Sequence, residues 1–228
     1  MIISHGHVDH CGALPWLLRK FRETDCYTTA PTVSIMNCML HNSVTVMETL
    51  AIERGIREYP LYCHEDVDYV TRRAYGLGFR REFALSGKRR VQASFHPSGH
   101  VLGGASILLR TPHHTLLYSG DISLTAQELV GGAAPYEELL PVDTLIIEST
   151  RAAQTNGRAI CFEEEVARFA KEVAKVLRHD GSVLLPCFAL GKTQEVLNIV
   201  SRLMRSRRIP RAPIYASGLG RAVYEVYD

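Results

Sequence analysis

The sequence has 228 residues, of which 46% are hydrophobic, and a formal net charge of +2 at pH 7, which selects no class of partner. This length and composition fit a soluble enzyme or part of one, with enough apolar residues for the core of one large or two small domains. No apolar run approaches the roughly 20 residues of a membrane span and no secretory leader opens the chain, so we expect a cytoplasmic protein, or a nuclear one if the source is a eukaryote.

The cysteines exclude two common types of site. Six are present, Cys11, Cys26, Cys38, Cys63, Cys161 and Cys187, and no two form a C-x-x-C pair. A zinc ribbon and a thiol redox motif are therefore not indicated, and reduced thiols are expected. Cys11 adjoins a candidate ligand, and we predict that it serves as a small packing residue rather than a reactive thiol.

Ligand-forming side chains crowd the stretch SHGHVDHCGALP, which begins at Ser4. The four candidates are His5, His7, Asp9 and His10. The apolar pair Ile2 and Ile3 predicts the end of a buried strand, which places the candidates on the following loop. Zinc accepts imidazole and carboxylate ligands, and side chains two apart in extended backbone point the same way. The first two histidines can thus hold one metal and the next two ligands a second, as in two-metal hydrolases.

Helical patterns follow this motif. One helix is predicted over Ala13 to Phe21, a long one begins at Pro31, and another lies around Glu65 to Tyr75. The basic pairs and triplets at 80–81 and 88–90 are predicted to be solvated faces, although they can also meet phosphates.

Two further candidate sites stand at strand ends. His100 precedes an apolar strand, Ala105 to Leu109, and the predicted returning strand of a hairpin ends just before Asp121. Residues 145–147 are predicted to form a buried strand with Glu148 at its tip. Histidine or acid at the ends of three apolar strands indicates convergence on one edge of a sheet.

The last third alternates helix and strand. An apolar stripe from Val166 to Leu177 predicts a helix, Ser182 to Ala189 predicts a strand buried on both faces, and Gly191 begins a second helix. Gly191-Lys192 lacks the glycines of a P-loop, so nucleotide hydrolysis is not indicated. The basic segment 202–211 suits nucleic acid and an ordinary linker equally well.

Together these motifs resemble the metallo-β-lactamase fold, and in particular its β-CASP branch of RNA-processing nucleases. The resemblance rests on His5-x-His7-x-Asp9-His10, Gly99-His100, Ser119-Gly120-Asp121, Glu148-Ser149-Thr150, PCFALGKTQEVL from Pro186 and APIYASGLG from Ala212. It covers nearly the whole chain in the order of the family.

The resemblance implies a role for each residue. His5, His7 and His100 would hold a first zinc ion, Asp9 and His10 a second, and Asp121 would bridge the two. A hydroxide shared by the ions would attack the scissile phosphorus and leave a 5′-phosphate, with Asp9 and Glu148 as catalytic acids of the site. Glu148 would pair with a histidine to protonate the departing oxygen, although it can also cap a strand end or pair with Arg151. His96 is expected to support a ligand rather than be one.

The fold implied is an α/β protein, an αββα sandwich over residues 1–151 followed by the start of a Rossmann-like β-CASP domain over 152–228. Only Met1 to Ser4 precede the histidine motif and two later family histidines are missing, so we expect a chain lacking both ends. His41, His64 and His179 stand in no family context and are not predicted to be ligands.

The leading hypothesis is a zinc-dependent endoribonuclease with single-stranded RNA as partner and no membrane association. A 5′ exoribonuclease, a DNA nuclease and a non-catalytic scaffold paired with an active paralogue are the alternatives. A homodimer or a heterodimer with a paralogue is the expected assembly. The residues that bind the substrate are not identified by the sequence.

Overall fold

The computed structural model describes residues 1–85, 90–153 and 161–228. These residues form two compact units, one of Met1–Glu148 with Glu225–Asp228 and the other of Ser149–Tyr224. The triplet at 88–90 lies partly outside the described residues.

Helices and strands alternate along the chain. They are α1 (Val8–Cys11), α2 (Leu14–Lys20), β1 (Cys26–Thr29), α3 (Ala30–Arg54), α4 (His64–Arg73), β2 (Ala74–Leu77), β3 (Glu82–Ala84), β4 (Gln92–Pro97), β5 (Ala105–Arg110), β6 (Thr115–Tyr118), β7 (Thr144–Ile146), α5 (Phe162–Leu177), α6 (Lys192–Arg205) and α7 (Gly218–Tyr227), with a 3₁₀ turn at Tyr136–Glu138. The α/β class predicted from the sequence is confirmed.

Two sheets form the centre of the first unit. β1 and β2 pair in parallel, and Ile2 extends this sheet through a parallel bridge to Tyr27. The second sheet has the order β3-β4-β5-β6-β7, antiparallel except for the parallel pair β6 and β7. The predicted hairpin is confirmed, since β5 and β6 pair in antiparallel register with Leu108 opposite Leu117.

The pleat of β5 separates two cores. Ile107 packs with Phe95 on the face toward the first sheet, where Tyr27 and Leu77 meet them. Leu108 points to the opposite face and packs with Leu117 and residues that follow the 3₁₀ turn. Among the described residues, that outer face is covered by this irregular segment rather than by a helix.

A helical layer covers the other face of the first sheet. α2, α3 and α4 surround a cluster that includes Leu18, Leu40, Val44, Val67 and Val70, all buried completely. Helix, sheet and sheet are therefore three successive layers of the predicted αββα sandwich.

The predicted helices are found with small differences. α2 begins and ends one residue inside the predicted span, and α3 begins one residue before Pro31, where proline at the start of a helix costs no hydrogen bond. α4 ends at Arg73, so Tyr75 lies in β2 rather than in the helix. Asp9 and His10 were predicted on a loop and instead lie on the single helical turn α1.

The predicted burial of residues 145–147 is wrong. Leu145, Ile146 and Ile147 are 51, 48 and 56% exposed. β7 is the last strand of its sheet and pairs only with β6, so neither its free edge nor its faces meet enough described residues to bury these side chains.

The second unit has a helical core. Val166, Ala170 and Val173 of α5 pack against Val200 and Leu203 of α6, as the apolar stripes predict. Val176, which was expected on this stripe, is 38% exposed, whereas the next residue, Leu177, packs against the cluster.

The buried strand predicted over Ser182 to Ala189 is also wrong. The segment forms no strand pairing, and Leu184 and Phe188 are 89 and 81% exposed. A strand buried on both faces needs neighbouring strands, and none is present among the described residues of this unit. In the described part of the chain, no helix is both long and apolar enough to cross a membrane.

The helical layer should dominate the stability of the first unit. Leu40→Ala removes a completely buried side chain of α3 and should lower the free energy of unfolding by about 2–5 kcal/mol. Ile52→Ala lies on the same helix but is 86% exposed, and it should change that free energy by less than about 0.5 kcal/mol. Urea denaturation of both variants measures the difference, and equal effects would contradict the packing.

Candidate metal centre

The candidate ligands come from three separate parts of the first unit. His5 and His7 follow the segment that is hydrogen-bonded to β1, and Asp9 and His10 lie on α1. His100 lies in the turn between β4 and β5, and Asp121 follows β6. The antiparallel order of the strands brings the last two positions to the same edge of the sheet as the histidine motif.

Four of these side chains converge on one point. His5, His7, His100 and Asp121 each offer an atom such that all four atoms lie within 4.8 Å of one another. Nδ1 of His7 is 2.9 Å from Nε2 of His5 and 3.2 Å from Nε2 of His100. Nitrogen ligands of one tetrahedral zinc ion stand about 3.3 Å apart, so this donor set fits such an ion.

The carboxylate of Asp121 faces both halves of the cluster. Its Oδ2 lies 3.5 Å from Nε2 of His100 and 3.8 Å from Nε2 of His5, whereas its Oδ1 lies 3.4 Å from Nε2 of His10. The Oδ2 of Asp9 lies 3.6 Å from the same nitrogen of His10, and the side chain of Asp9 is 77% exposed. One carboxylate can therefore serve two neighbouring metal positions.

Ser4 orients two of the histidines, a role that the sequence did not indicate. Its hydroxyl lies 3.1 Å from Nδ1 of His5 and 3.2 Å from Nδ1 of His10. Both rings therefore turn Nε2 toward Asp121. A hydroxyl held behind a ligating imidazole fixes its orientation, and a serine directly before the motif was the available signal.

The turn that carries His100 is held by backbone contacts. Gly99 and Gly103 both adopt φ of +73°, where residues with a side chain are strained. The carbonyl of Gly103 accepts hydrogen bonds from the hydroxyls of Thr29 and Thr32 at the start of α3. The amide of Gln127 donates to the carbonyls of Gly99 and His100, so the ligand is fixed from both sides.

His5 is kept neutral by its surroundings. It is 1% exposed, and burial, followed by the nearby His10, His7 and His100, lowers its pKa to about 2. A neutral imidazole offers the lone pair that a metal ligand needs.

Glu148 contacts the backbone beside Asp121, one of the four residues of the cluster. Its Oε1 accepts a hydrogen bond of 2.9 Å from the amide of Ile122, the residue after Asp121. Its own amide donates to the hydroxyl of Ser119. The carboxylate thus holds the Asp121 turn, which agrees with the structural alternative considered for this residue.

His96 lies apart from the four-residue cluster. Its Nε2 is 3.0 Å from the hydroxyl of Ser94, and its buried Nδ1 has no hydrogen-bond partner among the described residues. Burial lowers the pKa of its ring. Among the described residues, His96 therefore makes no hydrogen bond to a candidate metal ligand, and the supporting role expected of it is not observed.

Comparison with known proteins agrees with this geometry. Residues 1–155 match the family model described as the metallo-beta-lactamase superfamily. The chain belongs to this superfamily. The match covers all six predicted ligand positions.

Individual relatives indicate which branch of the superfamily the chain resembles. The chain is 30% identical to an RNase J-like protein of Methanocaldococcus jannaschii, over 96% of this chain and 47% of that protein. It is 32% identical to cleavage and polyadenylation specificity factor 73 of Drosophila melanogaster, over 100% of this chain and 32% of the relative. Integrator complex subunit 11 of Danio rerio is 28% identical, over 95 and 34%. The predicted resemblance to the β-CASP nucleases is confirmed, and the chain spans less than half the length of these relatives.

Cys11 behaves as the packing residue that the sequence predicts. It is 1% exposed, and burial together with the nearby Asp9 raises its pKa to about 12. Burial also raises the pKa of Cys26 to about 11. Only the thiolate reacts with electrophiles, so both thiols are protected twice, by inaccessibility and by protonation.

Thiol labelling of the native chain should therefore be selective. Cys161 and Cys187 are exposed and should be modified first, whereas Cys11 and Cys26 should react at least about 100-fold more slowly at pH 8. Peptide mapping by mass spectrometry after timed labelling measures each rate, and a denatured sample provides the control. Fast labelling of Cys11 in the native chain would contradict the described burial.

Proposed function

We propose that the complete protein is a zinc-dependent endoribonuclease that hydrolyses phosphodiester bonds of single-stranded RNA. The observation that carries this proposal is the convergence of three histidines and Asp121 in a chain of the metallo-β-lactamase superfamily. Relatives named as ribonucleases or as subunits of RNA-processing complexes favour RNA over other phosphodiesters.

The residues present suit two zinc ions. In our proposal His5, His7 and His100 hold the first, Asp9 and His10 contribute to the second, and Asp121 serves both with its two oxygens. When bound there, zinc would lower the pKa of water and offset negative charge on the scissile phosphate.

The surrounding residues have two tasks. Ser4 keeps the rings of His5 and His10 in the orientation that exposes Nε2, so that the ligands need little rearrangement. Glu148 fixes the turn that presents Asp121 through its bond to the amide of Ile122. Proton donation by Glu148 to the departing oxygen, together with a histidine, remains part of the proposal and needs this carboxyl to exchange that backbone contact for another partner.

A basic cavity in the second unit supports a nucleic-acid partner. It measures about 600 Å³ and is lined by Arg178, Arg205, Arg207 and Arg211 together with Met204, Ile209 and Pro210. Among the described residues, no carboxylate forms an ion pair with any of these four arginines. Guanidinium groups gathered in a concave surface attract phosphates, and this favours the nucleic-acid reading of segment 202–211.

Removing the shared carboxylate should abolish cleavage. In the complete protein, Asp121→Asn should lower the rate of single-stranded RNA cleavage by at least about 100-fold, because the variant loses a charged ligand of both metal positions. Asp180→Asn, in the second unit, makes the same chemical change and should leave the rate unaltered. Gel analysis of an end-labelled RNA measures both rates.

The substrates of that experiment separate the alternatives. Internally cut products from RNA with a blocked 5′ end support an endoribonuclease, whereas dependence on a free 5′ end would indicate an exonuclease. Equal cleavage of single-stranded DNA would replace the proposed substrate. Zinc binding by the complete protein without turnover of any of these substrates would overturn the proposal in favour of a scaffold.

The arginine cavity should contribute to RNA affinity through charge. Arg205→Ala with Arg211→Ala should weaken RNA binding and reduce the slope of log K against log salt by about 0.7 for each phosphate that the variant no longer neutralises. Arg168→Ala is the matched control, since that side chain already pairs with Glu165. Fluorescence anisotropy in the Asp121→Asn background measures binding without cleavage, and an unchanged slope would remove the cavity from the RNA site.

The expected dimer, with itself or with a paralogue, and the expected cytoplasmic or nuclear location stay predictions. So does the division of the chain at residue 151 into a metallo-β-lactamase domain and a β-CASP domain.

A further inference from the structure

A second histidine cluster lies on the surface of the helical layer. His41 of α3 and His64, the first residue of α4, face each other with their Nδ1 atoms 2.7 Å apart. Their ring planes are inclined by only 21°, with centroids 5.0 Å apart. Nε2 of His41 lies 3.3 Å from Oδ1 of Asp68, one turn further along α4.

The carboxylate of Asp68 favours one tautomer of His41. It lies 3.3 Å from Nε2 of His41, so its negative charge favours the tautomer that carries the proton on Nε2 and leaves the lone pair on Nδ1. That lone pair points at Nδ1 of His64. Two imidazole nitrogens at this distance need either a single shared proton or a cation between them, because two lone pairs facing each other repel.

This arrangement matches the immediate surroundings of a metal-bound histidine. A ligating imidazole generally donates its other N–H to a carboxylate, which orients the ring and makes it a stronger ligand. Two nitrogens on one zinc ion stand about 3.3 Å apart, so the pair must open by about 0.6 Å. His64 is exposed, and rotation of its side chain alone can provide this opening while water fills the remaining positions.

The local charge also favours a cation. Glu65, Asp66 and Asp68 all lie within the first five residues of α4, at the positive end of the helix dipole. Asp66 is engaged by Arg19 at 3.1 Å. The other two carboxylates are exposed and leave a negative potential beside the histidine pair.

We propose that His41 and His64 form a further zinc site that joins α3 to α4, with Asp68 as the carboxylate that orients His41. The site is separate from the candidate metal centre and does not depend on nuclease activity. Its occupation ties together two helices that cover the core of the first unit, so zinc bound there stabilises the folded chain.

Counting zinc ions tests the proposal directly. The metal-depleted 228-residue chain is dialysed against buffered free Zn²⁺ over a range of concentrations, and bound metal is measured by elemental analysis. His41→Ala and His64→Gln should each bind one ion fewer than the unaltered chain. His113→Ala, which changes an exposed histidine of the β5–β6 turn, should bind the same number as the unaltered chain.

Asp68→Asn provides a finer test. This substitution keeps both ligands and should weaken zinc binding at this site by about 10- to 100-fold without removing it. Glu65→Gln, on the same turn, removes a charge that does not contact His41 and should have a smaller effect. If Asp68 had only a structural role, the two variants would weaken zinc binding to the same extent.

A folding defect is separated from the loss of a ligand by a second measurement. Long-range ¹H–¹⁵N spectra of the histidine rings should show the Nδ1 signals of His41 and His64 shifting together as Zn²⁺ is added to the unaltered chain. Equal zinc counts in all the histidine variants, or ring signals of this pair that do not respond to Zn²⁺, would overturn the proposal and leave a shared proton between the rings.

Discussion

The candidate metal centre depends on how Ser4 is held between the two sheets. Its carbonyl accepts a hydrogen bond of 2.9 Å from the amide of Ala105 at the start of β5, while the preceding residue, Ile3, donates to Tyr27 of β1 at 3.0 Å. The hydroxyl of the same serine contacts the rings of His5 and His10. Backbone pairing that joins the sheets therefore also sets the direction of two candidate ligands, so the fold and the site cannot be separated.

The opposite side of the centre is fixed by turns rather than by strands. Gly103 approaches Thr29 and Thr32 so closely that an added Cβ would lie 2.7–2.9 Å from their atoms. Glu148 holds the amide that follows Asp121, and Gln127 holds the backbone of His100. Each candidate ligand from the second sheet thus has a polar contact that limits its movement, and such preorganisation is what a metal site requires of its surroundings.

Sequence patterns predicted the positions of the helices and strands more accurately than they predicted which side chains are buried. The spacing of apolar residues predicted α2, α3, α5 and α6 and the hairpin of β5 with β6, because period and turn residues are local properties. The apolar residues at 145–147 and 182–189 led to a wrong prediction of buried strands, since both segments are largely exposed. A strand is buried only if neighbouring strands or helices cover it, and that depends on residues far away in the sequence.

By itself, the sequence determined which side chains are available for metal chemistry, since His5, His7, Asp9, His10, His100 and Asp121 stand in recognisable motifs. Tertiary structure alone decided which of them share a point and how each carboxylate oxygen is directed, because those distances depend on contacts between residues far apart in the sequence, such as His7 and His100. It also revealed Ser4 as a support and brought His41 against His64. The contact of His41 with His64 joins α3 to α4, whereas Ser4 contacts residues one and six positions ahead of it, and neither contact follows a sequence period.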